Sequence, residues 1–285
     1  MANKYVGSNA QNLASDNKVM FTTGDSNYLM GNVDLSGADT WTVAAHCMQL
    51  GDDTMWNDIQ FGIKPAWRLL IGFIDGYEAL GKGDEFIRSR GKELQDSQSK
   101  LYIGSKGAVH GSNYGLQPAK GVEIILKRSM GEVLLSQYDF AKLQNIYMHC
   151  YQGVKLWHEA TNRQINQSGY IRGAGGHKRV FFARRTDAET LRVALAEEPQ
   201  QNTAHATKTA MRNLFYQEYN RDSNGNMKIK QLNSVHDSIV YWFHRKFKLE
   251  LADILEAAFD NEMIIAGRKV KIAYEWDTGE CWPKG

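Results

Sequence analysis

Two aspartates stand where apolar strands are expected to end, and their carboxylates could hold divalent cations. Asp34 closes the run YLMGNVD, and Asp237 follows His236 in SVHDSIVYWF, directly before an apolar run. Carboxylates on adjacent strand ends can bind two hard cations about 3.5 to 4 Å apart, the arrangement that serves in-line displacement at phosphorus. An aspartate at a hairpin tip is more commonly a turn former, so the residues alone leave both interpretations open.

A second candidate site is the basic segment YIRGAGGHKRVFFARR, residues 170–185. It contains no acid and six basic or titratable residues: Arg172, His177, Lys178, Arg179, Arg184 and Arg185. Basic residues interleaved with aromatic ones are typical of a track for a phosphate backbone, although a solvated surface loop has the same composition. The net charge of the whole chain, +2, does not by itself indicate a polyanionic partner.

The composition is that of an ordinary globular protein. With 285 residues, of which 42% are hydrophobic, the chain can bury a substantial core as one large domain or two smaller ones. Its first residues are polar, and no apolar run reaches the roughly 20 residues of a membrane span, so we expect a soluble protein with no membrane partner. The three widely spaced cysteines, Cys47, Cys150 and Cys281, fit a reducing cytoplasm and argue against a zinc site.

Strands are predicted at both ends of the chain. YLMGNVDLS predicts a strand near the start. After the turn signal DSNGN, the runs MKIKQLNSV and SIVYWF predict a hairpin with His236 and Asp237 at its tip. The alternation in VKIAYEW predicts a closing strand.

Helices are predicted between these strands. The segment DFAKLQNIYMHCYQGVKLWHEATNRQ has apolar residues at helical spacing and predicts one helix or a kinked pair, with the apolar stripe in the core. A further helix is predicted over 202–219, and an amphipathic one follows the hairpin, with one apolar face: Leu251, Ile254, Leu255, Ala258 and Phe259. A β-containing domain interrupted by a helical insertion explains this order better than two domains in series.

Three segments, in order, resemble the conserved motifs of a known family. VDLSGADTWTVAAH, KGAVHGSNYG and VHDS resemble motifs A, B and C of the family A DNA polymerases, the bacterial DNA polymerase I type. Lys106 and Tyr114 are eight residues apart, as motif B requires, and Gly115 follows. Three ordered motifs with correct internal spacing are highly specific. Further segments resemble other parts of the family: SNAQNL, CYQGVKLWHEA, GYIRGAGGHKR, PQQNTA and TGECW.

The resemblance implies an α+β fold of the right-hand polymerase type, with an antiparallel palm sheet and a helical fingers insertion. The palm is expected to come from both ends of the chain. We therefore expect residues 1–50 to form the first part of the palm with motif A, 51–194 the fingers with motif B, and 195–285 the second part of the palm with motif C.

The resemblance also implies a DNA-directed DNA polymerase that adds deoxynucleoside triphosphates to the primer 3′-hydroxyl of primer–template DNA. Asp34 and Asp237 would each bind two Mg²⁺ ions, with Mn²⁺ as a substitute, and the backbone carbonyl of Leu35 would assist. Lys106 would contact the triphosphate and act as a general acid toward pyrophosphate.

Other residues receive binding roles from the same resemblance. His110 would stack near the sugar and base, and Tyr114, with Gly115 beside it, would close the pocket of the new base pair. Lys106, His110, Asn113 and Tyr114 are spaced to share one helical face, which without the family would be read as a plain amphipathic surface. Three residues would bind primer–template: Gln201, His236 and Arg179. For His236, a simple hairpin histidine is the alternative.

Asp39 is expected to exclude ribonucleotides by crowding the position of the 2′-hydroxyl. The chain departs from the family pattern here, since the family usually has glutamate at Asp39. Ser238 stands where the family usually has another glutamate. Tyr102 and Trp41 each stand at a position where arginine is usual, and His110 replaces the usual Phe or Tyr. Because both metal-binding aspartates are present, we expect altered rather than abolished activity.

Only 33 residues precede Asp34, where the family places a thumb and often an exonuclease domain. Either a separate chain supplies these parts, as in a split or engineered polymerase, or the chain acts distributively alone. We expect the separate chain, and a split gene of this sort suits a bacteriophage, whose protein would act in the host cytoplasm. Two alternatives stay open. The first is a single-subunit RNA polymerase or a primer-making enzyme with the same palm. The triplet HDS favours it, because serine at this place also occurs in the single-subunit RNA polymerases, whereas SNAQNL, GYIRGAGGHKR and GECW disfavour it. A non-catalytic nucleic-acid-binding subunit is the other alternative, and retention of both aspartates argues against it.

Overall fold

The computed structural model describes residues 15–283, apart from the side chains of Ser15 and Asp16. The segment SNAQNL therefore lies outside the described residues. The α-helices of the described range are α1 Ser15–Lys18, α2 Ala38–Gln49, α3 Thr54–Gln60, α4 Pro65–Ile74, α5 Asp84–Ser97, α6 Ser99–Asn113, α7 Pro118–Arg128, α8 Gln137–Cys150, α9 Gly153–Ser168, α10 Ala188–Tyr216 and α11 Leu251–Phe259. The strands are β1 Tyr28–Leu35, β2 Tyr170–Arg172, β3 Lys178–Val180, β4 Ile229–Val235, β5 Ser238–His244, β6 Glu262–Ile265, β7 Arg268–Lys271 and β8 Tyr274–Gly279.

The predicted α+β class is confirmed. A four-stranded sheet has the order β4-β5-β1-β8, and every neighbouring pair in it is antiparallel. Contacts divide the chain into two compact units. Among the described residues, the first contains 15–39, 201–263 and 269–283, and the second contains 40–200 and 264–268.

Strand β1 is central in the sheet of the first unit. Its residues 29–33 are all buried, and it pairs with β5 on one side and β8 on the other. Gly31 lies opposite Tyr241, and a Cβ at Gly31 would stand 2.3 Å from Cζ of that ring, so only glycine fits there. The phenol of Tyr241 thus packs directly over the backbone of the strand that carries Asp34.

The predicted hairpin is confirmed in the first unit. Val235 pairs with Ser238, which leaves His236 and Asp237 as the turn between β4 and β5. The amphipathic helix after the hairpin is also confirmed as α11, and its predicted apolar face is buried. Asn213 on α10 donates from Nδ2 to the carbonyl of Ala258, 3.1 Å away, and so ties α10 to α11.

The closing strand predicted from VKIAYEW is two strands instead of one. Strand β7 ends at Lys271 and β8 begins at Tyr274. Ala273, between them, accepts a hydrogen bond of 2.7 Å from the amide of Ser36, which is the residue just after β1. The segment between β7 and β8 is thus bonded to the end of β1. The predicted burial of every second residue also fails at Trp276, which is 42% exposed.

The helix predicted over 202–219 begins earlier and ends earlier, as α10 spans Ala188–Tyr216. Pro199 lies inside it, although proline removes one helical hydrogen bond. Leu195 and Asn202, on either side of the proline, are buried, and this packing stabilises a helix that local propensity disfavours. Beyond its end, Asn220 Nδ2 donates to the carbonyl of Leu214, which would otherwise lack a helical partner.

In the second unit, the kinked helical pair predicted from DFAKL to NRQ is confirmed as α8 and α9. Ser136 begins α8 with a capping box, in which its hydroxyl accepts from the amide of Asp139 at 3.0 Å. The predicted apolar stripe is part of the buried core: Phe140, Leu143, Tyr147, Tyr151, Val154 and Trp157.

Candidate active site

The sheet of the first unit brings Asp34 and Asp237 together. Asp34 is the seventh residue of β1 and pairs with Ser238, the first residue of β5, so the hairpin tip lies beside the end of β1. The amide of Leu35 donates to the backbone carbonyl of Asp237 at 3.4 Å, which fixes the tip against the central strand. The two carboxyls lie within hydrogen-bonding reach of each other.

The pKa values of both carboxyls are raised, chiefly by loss of hydration. The pKa of Asp34 rises to about 6, first because surrounding protein removes part of its hydration and then because Asp237 is negatively charged. Its side chain nevertheless keeps solvent access. Loss of hydration is also the main reason why the pKa of Asp237 is raised, and the charge of Asp39 adds to it. Glu275, opposite Asp34 on β8, further raises the pKa of Asp34.

This concentration of negative charge fits divalent cations. Carboxylate oxygens are hard ligands, and magnesium in nucleotide sites is held by one or two carboxylates, with waters and substrate phosphates completing its shell. Within residues 15–283 there is no cluster of three or more His, Cys, Asp or Glu side chains arranged to hold a metal. Two carboxylates are the number of protein ligands that such magnesium sites use.

The raised pKa of Asp34 predicts that the metal-free protein gains stability when its charge is removed. A folded-state pKa above the ordinary value of 3.8 means that the folded protein binds the proton more tightly than the unfolded chain does, so the ionised carboxyl destabilises the fold above about pH 6. After allowance for solvent screening, Asp34→Asn is expected to stabilise by about 1 kcal/mol at pH 7.5. Thermal unfolding in EDTA should show a rise in Tm of about 2 to 4 °C.

The same comparison at lower pH provides the control. The gain from Asp34→Asn should shrink as pH falls from 7 to 4, because the wild-type carboxyl then takes up its proton. Asp96→Asn, the same change on the exposed surface of α5, should leave Tm unchanged. A variant that is less stable than wild type at pH 7.5 would contradict the electrostatic account.

The hairpin tip is held in an unusual backbone conformation. His236 is exposed and has φ 56°, in the left-handed region that side chains other than glycine rarely adopt. Ser238 is buried, and its hydroxyl donates to the carbonyl of Val235 at 2.9 Å across the turn. The serine that stands at the family's glutamate position thus closes the tip, and it contributes no acid to the site.

Asp39 and Gln201 also belong to the first unit. Asp39 lies in the first turn of α2, where its carboxylate Oδ1 accepts a hydrogen bond of 2.9 Å from the hydroxyl of Thr203 on α10. Gln201 is half-buried two residues before Thr203. The sequence analysis predicted no role for Thr203, although the segment PQQNTA that contains it resembles part of the family.

In the second unit, helix α6 carries the motif B residues. Lys106 and His110 are exposed, and the Lys106 ammonium lies 5.9 Å from the centre of the Tyr102 ring. Tyr114 caps the helix and is 9% exposed, with its ring edge-on to that of His110 at 4.7 Å between centroids. Gly115 has φ 64°, and glycine suits this left-handed position at the end of a helix.

The exposed face predicted for motif B stops before Asn113. The Asn113 side chain is buried, and the Tyr147 hydroxyl donates to its Oδ1 at 2.5 Å. His158 Nε2 lies 2.8 Å from the backbone carbonyl oxygen of Asn113. Helical spacing correctly aligns Asn113 with Lys106, but α8 and α9 cover the last turn of α6. Asn113 therefore anchors the helix, and Lys106 and His110 form its exposed face.

The basic segment 170–185 forms a hairpin of β2 and β3 in the second unit. All six of its basic or titratable side chains are exposed, and so is Phe182, at 94%. Ile171 and Phe181 anchor the hairpin in a small apolar cluster with Ile165. Arg179 forms an ion pair of 2.5 Å with Glu197, so a phosphate at this guanidinium would have to compete with that carboxylate.

Comparison with known proteins agrees with this architecture. The sequence model of DNA polymerase family A matches residues 105–284. A solved structure, the polymerase domain of Pol1 from M. smegmatis in complex with DNA primer-template and dNTP, aligns with a TM-score of 0.65 and 17% identity. The alignment covers 96% of this chain and 44% of that one, so the chain spans less than half of the matched protein. A search of curated proteins gives no match.

The antiparallel sheet and the helical segments form an α+β fold similar to that of a family A polymerase domain. The chain belongs to the DNA polymerase A family. Among the helices of residues 15–283, none combines the length and the apolar character that a membrane crossing requires.

Proposed function

We propose that this chain is the palm-and-fingers part of a DNA-directed DNA polymerase. The carrying observation is that Asp34, near the end of a central strand and paired with Ser238, lies beside Asp237 at the hairpin tip, in a chain that belongs to family A. We assign the palm to residues 1–50 and 195–285 and the fingers to 51–194. The two compact units support most of this assignment, since they divide at residues 39/40 and 200/201, and only the short segment 264–268 of the assigned palm belongs to the second unit.

Asp34 and Asp237 would hold two magnesium ions, and the backbone carbonyl of Leu35 is the next oxygen along β1. Bound magnesium would acidify the primer 3′-hydroxyl and offset negative charge on the phosphates. The hydroxyl oxygen forms a bond to the α-phosphorus, its proton passes to solvent, and the bond from that phosphorus to the leaving pyrophosphate breaks. The raised pKa values of the two aspartates support this role, because bound cations would stabilise the ionised carboxylates that the protein alone disfavours.

Helix α6 would present Lys106 to the triphosphate. An exposed ammonium can both neutralise phosphate charge and supply a proton to pyrophosphate as it leaves. The edge-on pair of His110 and Tyr114 would pack against the sugar and base, and Gly115 lets the chain turn directly after them. Asp39 would exclude ribonucleotides by occupying the space of a 2′-hydroxyl.

Primer–template DNA would contact Gln201 and His236 on the first unit and Arg179 on the second. The exposed basic hairpin supports a DNA partner, since its cations can replace the counterions of a phosphate backbone. The unusual backbone of His236 supports a functional tip, because strained conformations concentrate at such sites.

Removing two cations from the hairpin should weaken DNA binding in a salt-dependent way. For Lys178→Ala with Arg184→Ala, the slope of log K against log salt should decrease in magnitude by about 1.8, because two phosphate contacts are lost. Fluorescence anisotropy with a labelled primer–template between 50 and 200 mM salt measures this slope. Lys92→Ala with Lys127→Ala, the same loss of charge from exposed positions on α5 and α7, is the matched control. Equal slopes for both double variants would contradict a DNA-binding hairpin.

Primer extension with separate sets of nucleotides tests the proposed function. Purified protein, labelled primer–template and deoxynucleoside triphosphates should give extension that EDTA abolishes and magnesium restores. Ribonucleotides as the preferred substrates would instead indicate the RNA polymerase alternative. DNA binding without any extension would indicate a non-catalytic subunit. Three further expectations stay predictions: that a separate chain supplies the thumb and exonuclease, that Mn²⁺ supports activity, and that the protein comes from a phage and acts in the host cytoplasm.

A further inference from the structure

We propose that Thr203 is a positioning residue for Asp39 and thereby sets the discrimination between deoxyribonucleotides and ribonucleotides. The inference rests on the proposed function, because it concerns the sugar of the incoming nucleotide. It assigns a role to a residue outside motifs A, B and C.

The contact between these residues is direct and lies within the first unit. Thr203 Oγ1 donates to Asp39 Oδ1 at 2.9 Å in a partly buried setting, although 164 residues separate the two along the chain. A hydrogen bond to a charged acceptor with limited water access is stronger than one on the surface. Thr203 is β-branched and lies inside α10, so few rotamers are open to its hydroxyl. The bond therefore holds one carboxylate oxygen of Asp39 in a defined place.

The place of that carboxylate matters because it is near enough to the aspartate pair for its charge to act on Asp237. Asp39 follows Asp34 by five residues, and its negative charge is felt at the carboxyl of Asp237. A nucleotide that reaches the pair brings its sugar close to Asp39. A 2′-hydroxyl would then have to displace a carboxylate that is held by Thr203, whereas a deoxyribose would not.

The short side chain of aspartate makes this anchor necessary. Aspartate has one methylene fewer than glutamate, so it reaches less far toward a sugar and depends more on being held in one orientation. Without the hydroxyl of Thr203, this carboxylate oxygen of Asp39 loses the hydrogen bond that orients it, and the half-buried side chain has room to shift. The space for a 2′-hydroxyl would then open.

The test compares Thr203→Val, which keeps the shape and removes the donor, with Thr203→Ser, which keeps the donor. The measured quantity is the ratio of kcat/KM for a deoxyribonucleotide to kcat/KM for the matching ribonucleotide. Thr203→Val should lower this ratio about tenfold, the effect expected from losing one hydrogen bond to a charged group. Thr203→Ser should stay within about twofold of wild type. Thr209→Val, the same change on the same helix, controls for the loss of a threonine hydroxyl from α10.

A double-mutant cycle separates positioning from a general structural effect. Asp39→Ala alone should lower the ratio, and adding Thr203→Val to it should change nothing further. An unchanged ratio in Thr203→Val, with both kcat/KM values falling in parallel, would overturn the inference while leaving the polymerase function in place. So would an equal effect of Thr203→Val with and without Asp39. No incorporation of either nucleotide by wild type would overturn the proposed function, and the inference with it.

Discussion

Asp237→Asn is expected to reduce primer extension by about a thousandfold or more. Asparagine has the shape of aspartate but lacks its charge, so it retains the hairpin turn and loses the ligand. Metal ions at a phosphoryl-transfer centre contribute several kcal/mol of charge stabilisation, and each 1.36 kcal/mol is a factor of about ten in rate. Asp34→Asn should have an effect of the same order, since both carboxylates hold the same ions.

Two further measurements make this prediction specific to the site. Affinity for primer–template in EDTA should stay within about threefold of wild type, because the hairpin cations that bind phosphate are untouched. Magnesium should raise the Tm of wild type and leave that of Asp237→Asn unchanged, since a ligand stabilises only the folded state that binds it.

A matched substitution in the same sheet serves as the control. Asp277 is exposed on β8 and pairs with Asn32 on β1, so Asp277→Asn removes one charge from the sheet without altering the pair. Its extension rate should stay within about twofold of wild type. If Asp277→Asn and Asp237→Asn lose activity equally, the hairpin tip has no special role.

Lys106→Ala is expected to lower kcat by about 10² to 10⁴, the range for loss of a general acid. KM for the nucleotide should rise as well, because the ammonium that neutralises triphosphate charge is gone. The side chain is exposed on α6, so the fold should not depend on it. Single-turnover incorporation at varied nucleotide concentration measures both constants.

Lys106→Arg separates the two roles of this lysine. Arginine keeps the positive charge but holds its proton too tightly to donate it, since its pKa is above about 12. This variant should recover most of the affinity for nucleotide and little of kcat. Lys100→Ala, on an exposed turn of the same helix, should behave as wild type. A Lys106→Ala enzyme with unchanged kcat would remove Lys106 from the mechanism.

Local patterns were sufficient to predict the parts of the fold that short-range physics controls. The hairpin around His236 and Asp237 follows from two alternating runs joined by a tight turn, and α8 and α9 follow from apolar spacing. The pairing of β1 with β5 was expected only through the family resemblance. Without that resemblance, Asp34 and Asp237 were two acids at expected strand ends, for which a cation site and a turn-forming role both stayed open.

Other features depend on tertiary packing and could not be predicted. The start of α10 was placed too late, because Pro199 is disfavoured inside a helix and only buried neighbours make it tolerable. Asn113 has the right spacing for an exposed face, yet Tyr147 from another helix covers it. The bond between Thr203 and Asp39 joins distant segments and leaves no periodic signal in the sequence.

Single-turnover incorporation opposite each of the four template bases tests the central claim most directly. Purified protein is used in large excess over the primer–template, so that weak binding does not limit the reaction, and each of the four deoxynucleotides is supplied separately with magnesium. We predict that one nucleotide is added only when it is complementary to the template, and that Asp34→Ala abolishes this addition. No addition by wild type under these conditions, or addition that ignores the template base, would contradict the assignment of the paired aspartates to a DNA polymerase centre.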